Sequence, residues 1–196
     1  MQNKRINIPN ILTITRFVIV FVIFALYQLK ITAWVEISFA LFLFGAISDY
    51  FDGFFARKYK MQSDFGRCFD PISDKIFVFG MLLILNKFGT CNFFIMFLII
   101  AREITVSGIR EYLGEKNVMM PVSVLAKYKT GFQMASIGIL LFREGIFFRE
   151  LFYMFYPLEI FFDNLILLGK ISLYTATLLT LYTGFLYLKT LIKHLK

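Results

Sequence analysis

Long apolar runs separated by short charged clusters divide the chain into six segments, about 10–29, 32–57, 71–89, 92–113, 122–142 and 164–189. A helix needs roughly 20 mainly apolar residues to cross the hydrocarbon core of a bilayer. The pattern therefore predicts an all-α integral membrane protein with six transmembrane helices in one bundle. The connections are short, so residues 1–196 read as a single membrane domain. Between the fifth and sixth segments, REGIFFRELFYMFYPLEIFFDN alternates aromatic and charged residues around Pro157. It reads as a turn followed by an amphipathic stretch lying in the membrane interface.

Composition agrees with the pattern: 59% of the residues are apolar, 26 are Phe and only 17% are charged. The N-terminal MQNKRINIPN leads into an apolar run too long for a signal core, with no small-residue cleavage site, so the first segment is expected to remain as a span. The formal net charge of +8 reflects orientation and anionic lipid in such a protein, not nucleic acid. Cys68, Cys91 and His194 have no spacing that would serve zinc or thiol chemistry.

Lysine and arginine are unevenly divided between the two membrane faces. One face collects Lys4, Arg5, Arg57, Lys58, Lys60, Arg67, Lys116, Lys127, Lys129, Lys189, Lys193 and Lys196; the other has Lys30, Lys87, Arg143 and Arg149. The richer face is cytoplasmic by the positive-inside rule, which puts both termini there.

Against this background SDYFDGFFARKYKMQSDFGRCFDPISDK stands out, because it gathers Asp49, Asp52, Asp70 and Asp74 at the cytoplasmic ends of two spans. Asp49 and Asp52 fall about 60° apart on a helix, with Gly45, Gly53 and Ala56 on the same side. That small-residue stripe reads as a hollow left for a ligand. Asp70 and Asp74 are one turn apart and point together. Pro71 is expected just inside the start of the third span, where its missing N–H costs little. Four carboxylates without histidine or cysteine suit a hard cation bound through oxygen: Mg²⁺, Mn²⁺ or Ca²⁺. Caps and loop solvation would explain single aspartates, but not Asp49 and Asp52 inside an apolar segment.

Asp49-x-x-Asp52-Gly53-x-x-Ala56-Arg57, then eight residues, then Gly66-x-x-x-Asp70-x-x-x-Asp74 resembles the signature of the CDP-alcohol phosphatidyltransferases at each of its fixed positions. The resemblance implies a six-helix enzyme that uses two divalent cations, Mg²⁺ or Mn²⁺, to transfer a phosphatidyl group from CDP-diacylglycerol to an alcohol, releasing CMP. It makes Asp49, Asp52, Asp70 and Asp74 the metal ligands and Asp74 also the base for the acceptor hydroxyl. Gly53, Ala56, Arg57 and Gly66 would line the cytidine diphosphate pocket, with Asn10, Thr13 and Arg16 of the first span as further nucleotide contacts.

The acceptor is read elsewhere. Arg102, Arg110, Lys127 and Lys129 place positive charge within or at the ends of the fourth and fifth spans. Intramembrane charge is a functional hypothesis by default, and several cations together suit a phosphate dianion. NIPNILTITRF, IAREITVSGIR and LAKYKTGFQ also resemble the bacterial branch of the family whose acceptor is glycerol 3-phosphate, which implies those four residues as the phosphate grip. Inositol phosphate, or phosphatidylglycerol for cardiolipin synthesis, are the other acceptors to weigh. Residues 142–196 read as hydrophobic filler, and Lys170 has no evident partner.

A transporter would also carry intramembrane Asp and Arg, but the charges gather at one face and there are no inverted repeats. Gly131 and Gly138 offer small-residue contacts on which a homodimer could form. Phospholipid synthesis implies a bacterial or organellar inner membrane, with the active site on the cytoplasmic side.

Overall fold

A computed structural model describes residues 8–59, 64–116, 118, 124–154 and 158–195; for 8, 9, 49–59, 64, 67, 152, 158 and 159 it describes the backbone alone. Among the described residues there are seven helices and no strand: α1 (Ile8–Gln28), α2 (Trp34–Tyr59), α3 (Asp64–Lys87), α4 (Phe93–Glu115), α5 (Val124–Glu144), α6 (Ile146–Met154) and α7 (Leu158–Leu195). Six of them cover most of the six apolar segments. The seventh, α6, is only 9 residues long, about 13 Å at 1.5 Å per residue. Two described stretches, Asn10–Gln28 and Ile160–Leu195, are long and apolar enough to cross a membrane.

The interior is a continuous apolar core in which Ile23, Phe42, Phe77, Met81, Leu82, Ile99 and Leu140 are buried. The exterior is apolar as well: Phe21, Phe93, Phe97, Leu178 and Phe185 are exposed. A large apolar surface outside a filled core is costly in water and suits lipid, so the helices form a membrane protein.

Tight turns join α1 to α2 and α3 to α4. The second uses Gly89 at φ 71°, a left-handed conformation that glycine adopts without steric cost. Asn92 then caps α4, its side chain accepting from the Phe94 amide at 2.8 Å. Trp34, at the start of α2, stacks on Phe88 at the end of α3, with ring centroids 5.5 Å apart, and so ties the two turns together.

Several readings of the sequence change here. Helix α3 starts at Asp64, well before the apolar segment, because its first two turns are polar and a span-length argument detects only the part that crosses hydrocarbon. Pro71 consequently lies in the helix interior, where it cannot donate to the carbonyl of residue 67. Gly45 does not open a hollow: a Cβ there would lie 2.6 Å from the Phe77 ring, so this glycine admits the neighbouring helix. Of the 143–163 segment, residues 143 and 144 end α5, 146–154 form α6 and 158–163 begin α7, while the turn expected at Pro157 lies outside the described residues. Glu36 of α2 accepts from the Phe147 amide at 2.8 Å and so satisfies a donor in the first turn of α6. The charge of Lys170 acts on Glu144 from α7.

Candidate active site

The Gly45–Phe77 contact sets the register of the α2–α3 pair. The two helices are joined through residues 60–63. Seven residues beyond Gly45 on α2 is Asp52, and seven residues before Phe77 on α3 is Asp70. Asp49 is four residues beyond Gly45 and Asp74 three residues before Phe77, so each helix carries its aspartate pair on the side of this contact that leads to residues 60–63. The side chains of Asp49, Asp52, Gly53, Ala56 and Arg57 lie outside the described residues. Gly66 is buried in the first turn of α3.

Helix α1 is fastened onto the described half of the quartet. The Thr13 hydroxyl donates to Asp70, the Arg16 guanidinium pairs with Asp74, and the Ser73 hydroxyl donates to the Thr13 carbonyl at 2.9 Å. Thr13, Arg16 and Ser73 are all buried. The Phe17 and Phe69 rings, with centroids 5.3 Å apart, extend the contact. Thr13 and Arg16, read from sequence as nucleotide contacts, are here partners of the carboxylates.

Among the described residues no group of three or more His, Cys, Asp or Glu converges. Asp70 and Asp74 offer carboxylate oxygens of the kind a hard cation takes, and in this structure Thr13 and Arg16 engage them. Both donors are carboxylate oxygens, both are answered by a hydroxyl or a guanidinium, and the Asp74 side chain is 49% exposed and so open to a further partner.

Asp74 also lines a cavity of about 1070 Å³ between α3, α4, α5 and α7. Its walls include Lys75, Arg102, Glu103, Arg110, Lys127 and Lys129. All four cations singled out in the sequence therefore share one cavity with one aspartate of the quartet, whereas Asp70 does not line it. Arg110 and Lys127 are exposed, and Lys129 is buried.

Arg102 is held from several sides. It bonds Glu103 at 3.1 Å and donates to the Thr183 hydroxyl at 2.6 Å, with its guanidinium 5.9 Å from the centre of the Tyr187 ring. Its aliphatic stem lies against Gly184, where a Cβ would come within 2.9 Å of Cγ. Lys129 is ion-paired to the same Glu103. Lys75 donates to the Ser107 hydroxyl at 2.7 Å and to the Pro71 carbonyl at 3.0 Å.

Several of these residues escaped the sequence reading. Glu103 and Lys75 are not singled out by the sequence pattern, each lying beside a more conspicuous charge. Residues 142–196 are not filler, since α7 supplies Thr183, Gly184 and Tyr187. The signal was present: Thr183, Gly184 and Tyr187 put polar and small groups about one turn apart on one side of an apolar helix.

The profile of the CDP-alcohol phosphatidyltransferase family matches residues 6–186. A protein of Rickettsia typhi named CDP-diacylglycerol–glycerol-3-phosphate 3-phosphatidyltransferase is 37% identical over 186 residues, covering 93% of this chain and 96% of that protein. A protein of the same name from Rickettsia felis is 36% identical over 191 residues, 96% of this chain and 97% of its own. A third, from Cereibacter sphaeroides, is 39% identical over 146 residues, 71% of this chain and 65% of its own.

Proposed function

The chain belongs to the CDP-alcohol phosphatidyltransferase family, and from that membership we propose that it transfers the phosphatidyl group of CDP-diacylglycerol to glycerol 3-phosphate, releasing CMP. The observation that carries the choice of acceptor is the cavity that joins Asp74 to Arg102, Arg110, Lys127 and Lys129. A small phosphorylated alcohol suits that lining: its phosphate would meet the cations and its hydroxyl would lie toward the carboxylate. The names of the Rickettsia relatives support the same acceptor.

Asp49, Asp52, Asp70 and Asp74 would hold two divalent cations, Mg²⁺ or Mn²⁺. When bound, such a pair neutralises charge on the pyrophosphate and makes CMP a better leaving group. Each remaining role falls to a residue of the chain. Asp74 is the carboxylate of the described pair that reaches the cavity, so it accepts the proton of the attacking hydroxyl. Arg16 fixes the orientation of that carboxylate through their ion pair, and Thr13 fixes Asp70. Gly53, Ala56 and Gly66 allow the nucleotide to approach the backbone, and Arg57 can fork onto phosphate oxygens. Arg102, buried against Gly184 and Thr183, and Lys129 hold the acceptor phosphate from the inner wall, while Arg110 and Lys127 hold it from the rim.

Helices α1–α5 and α7 are read as the six spans, with α6 in the interface. At 38 residues, α7 is about 57 Å long, against roughly 30 Å of hydrocarbon. It therefore extends beyond the membrane, carrying Lys189 and Lys193 into the cytoplasm. The site lies at that face of an inner membrane.

The test is an assay of the purified chain with CDP-diacylglycerol, Mg²⁺ or Mn²⁺, and a panel of acceptors. Lipid product should form with glycerol 3-phosphate. Product from inositol phosphate or phosphatidylglycerol, with none from glycerol 3-phosphate, would overturn the assignment.

A further inference from the structure

Glu103 is a carboxylate set into a wall that otherwise gathers cations. It lines the cavity with Arg102 and Lys129, and a single oxygen, Oε1, takes both of them as partners. The side chains of the two cations are 9% and 8% exposed, whereas that of Glu103 is 25% exposed. Among the described residues nothing bonds its second oxygen. Two nearly dry cations thus converge on one carboxylate that keeps access to open space.

Cations taken out of water need a counter-charge close by, or their burial is strongly unfavourable. A site built to receive an anion has this difficulty whenever no anion is bound. Resting on the acceptor assignment above, we propose that Glu103 is an internal stand-in for the acceptor's phosphate. It compensates and aims Arg102 and Lys129 when no acceptor is bound, and it yields Lys129 to the incoming phosphate.

A phosphate dianion brings more charge and more acceptor oxygens than a carboxylate, so it can win the ammonium and a branch of the guanidinium. An alcohol with a neutral or cationic head group has nothing to offer in exchange. Glu103 in this role filters acceptors, because any ligand must displace an ion pair before it is held. Thr183 and Gly184 keep Arg102 in place during the exchange, since they hold it independently of Glu103.

The exchange predicts a sign that a scaffolding role would reverse. In full-length protein in detergent, the midpoint for stabilisation by inorganic phosphate is measured by thermal shift for wild type and for Glu103→Gln. Removing a unit charge a few ångströms from a bound anion should tighten phosphate by about tenfold, and the KM for glycerol 3-phosphate should fall with it. Glu103→Asp retains the charge and shortens the reach by one methylene; it should give an intermediate midpoint, and it serves if Glu103→Gln does not fold. An unchanged or weaker phosphate midpoint in the variants would overturn the proposal. The acceptor assignment is judged separately on wild type: failure of wild type to release CMP with glycerol 3-phosphate would sink that reading, whereas normal turnover with no tightening would sink only the role of Glu103.

Discussion

Replacing Gly184 with alanine isolates the seat of Arg102 without touching any charged group. The new methyl would lie 2.9 Å from Arg102 Cγ and 3.3 Å from Nε, where ordinary contact needs about 3.5–4 Å. The guanidinium must therefore retreat by roughly half an ångström to one ångström. It is bonded to Thr183 at 2.6 Å and to Glu103 at 3.1 Å, and a hydrogen bond is lost beyond about 3.5 Å. A shift of that size loosens this seat and takes the guanidinium away from a phosphate placed for its native position. A hydrogen bond to a charged group is worth about 1.5–3 kcal/mol, which corresponds to roughly 10- to 100-fold in binding at 1.4 kcal/mol per tenfold. Stability should change little, because alanine gains about 1 kcal/mol of helix propensity over glycine while overpacking costs typically 1–3 kcal/mol. Initial rates measured with each substrate varied in turn should show a KM for glycerol 3-phosphate raised by about tenfold or more and an unchanged KM for CDP-diacylglycerol. If both constants rise equally, or neither moves, Arg102 is not an acceptor element and the reasoning fails.

Asp70→Asn should abolish CMP release while thermal unfolding and detergent behaviour stay like wild type; sustained turnover would exclude the carboxylate quartet as the reaction centre. Gly45→Ala should destabilise the protein by about 1–3 kcal/mol, because the added carbon meets the Phe77 ring at 2.6 Å, and a melting temperature equal to wild type would show that α2 and α3 are not in contact there. Burial, opposed by Arg143, Arg149 and Lys170, holds the Glu144 carboxyl above the usual carboxylate range. Its ionisation therefore costs stability that is fully present below its unfolded pKa and lost as pH rises through the folded one. Glu144→Gln should flatten the dependence of melting temperature on pH from about 4 upward, and a slope equal to wild type would refute the burial argument.

The helices and the spacing of the carboxylates were legible in the sequence because both are local signals. An apolar run of sufficient length needs no partner to be recognised, and Asp70 with Asp74 is an i, i+4 pair wherever the helix packs. What escaped is non-local. A small-residue stripe signals close approach but not what approaches, so Gly45 read as a ligand hollow when its neighbour is Phe77. The polar first turns of α3 hid its true start, and with it the interior position of Pro71. Thr13 and Arg16 lie 57 and 58 residues from the aspartates they bind, a distance at which spacing carries no information. Lys170 looked unaccountable because its neighbour Glu144 belongs to another helix. The cations of the cavity were visible as misplaced charges, but Glu103, which holds two of them, was hidden by the opposite charge of its immediate neighbour.

The fastening of Arg102 to Thr183 spans 81 residues of chain, while the grip of α1 on Asp70 and Asp74 spans fewer than 60. A membrane protein is made and inserted from its N-terminus, so these two parts do not come into being together. The carboxylates of α3 have their α1 partners as soon as the third span enters the bilayer. Arg102 lacks its contacts with Thr183 and Gly184 until α7 has been synthesised through those residues. In a nascent chain the carboxylates of α3 would therefore be fastened before the cavity wall around Arg102 is complete.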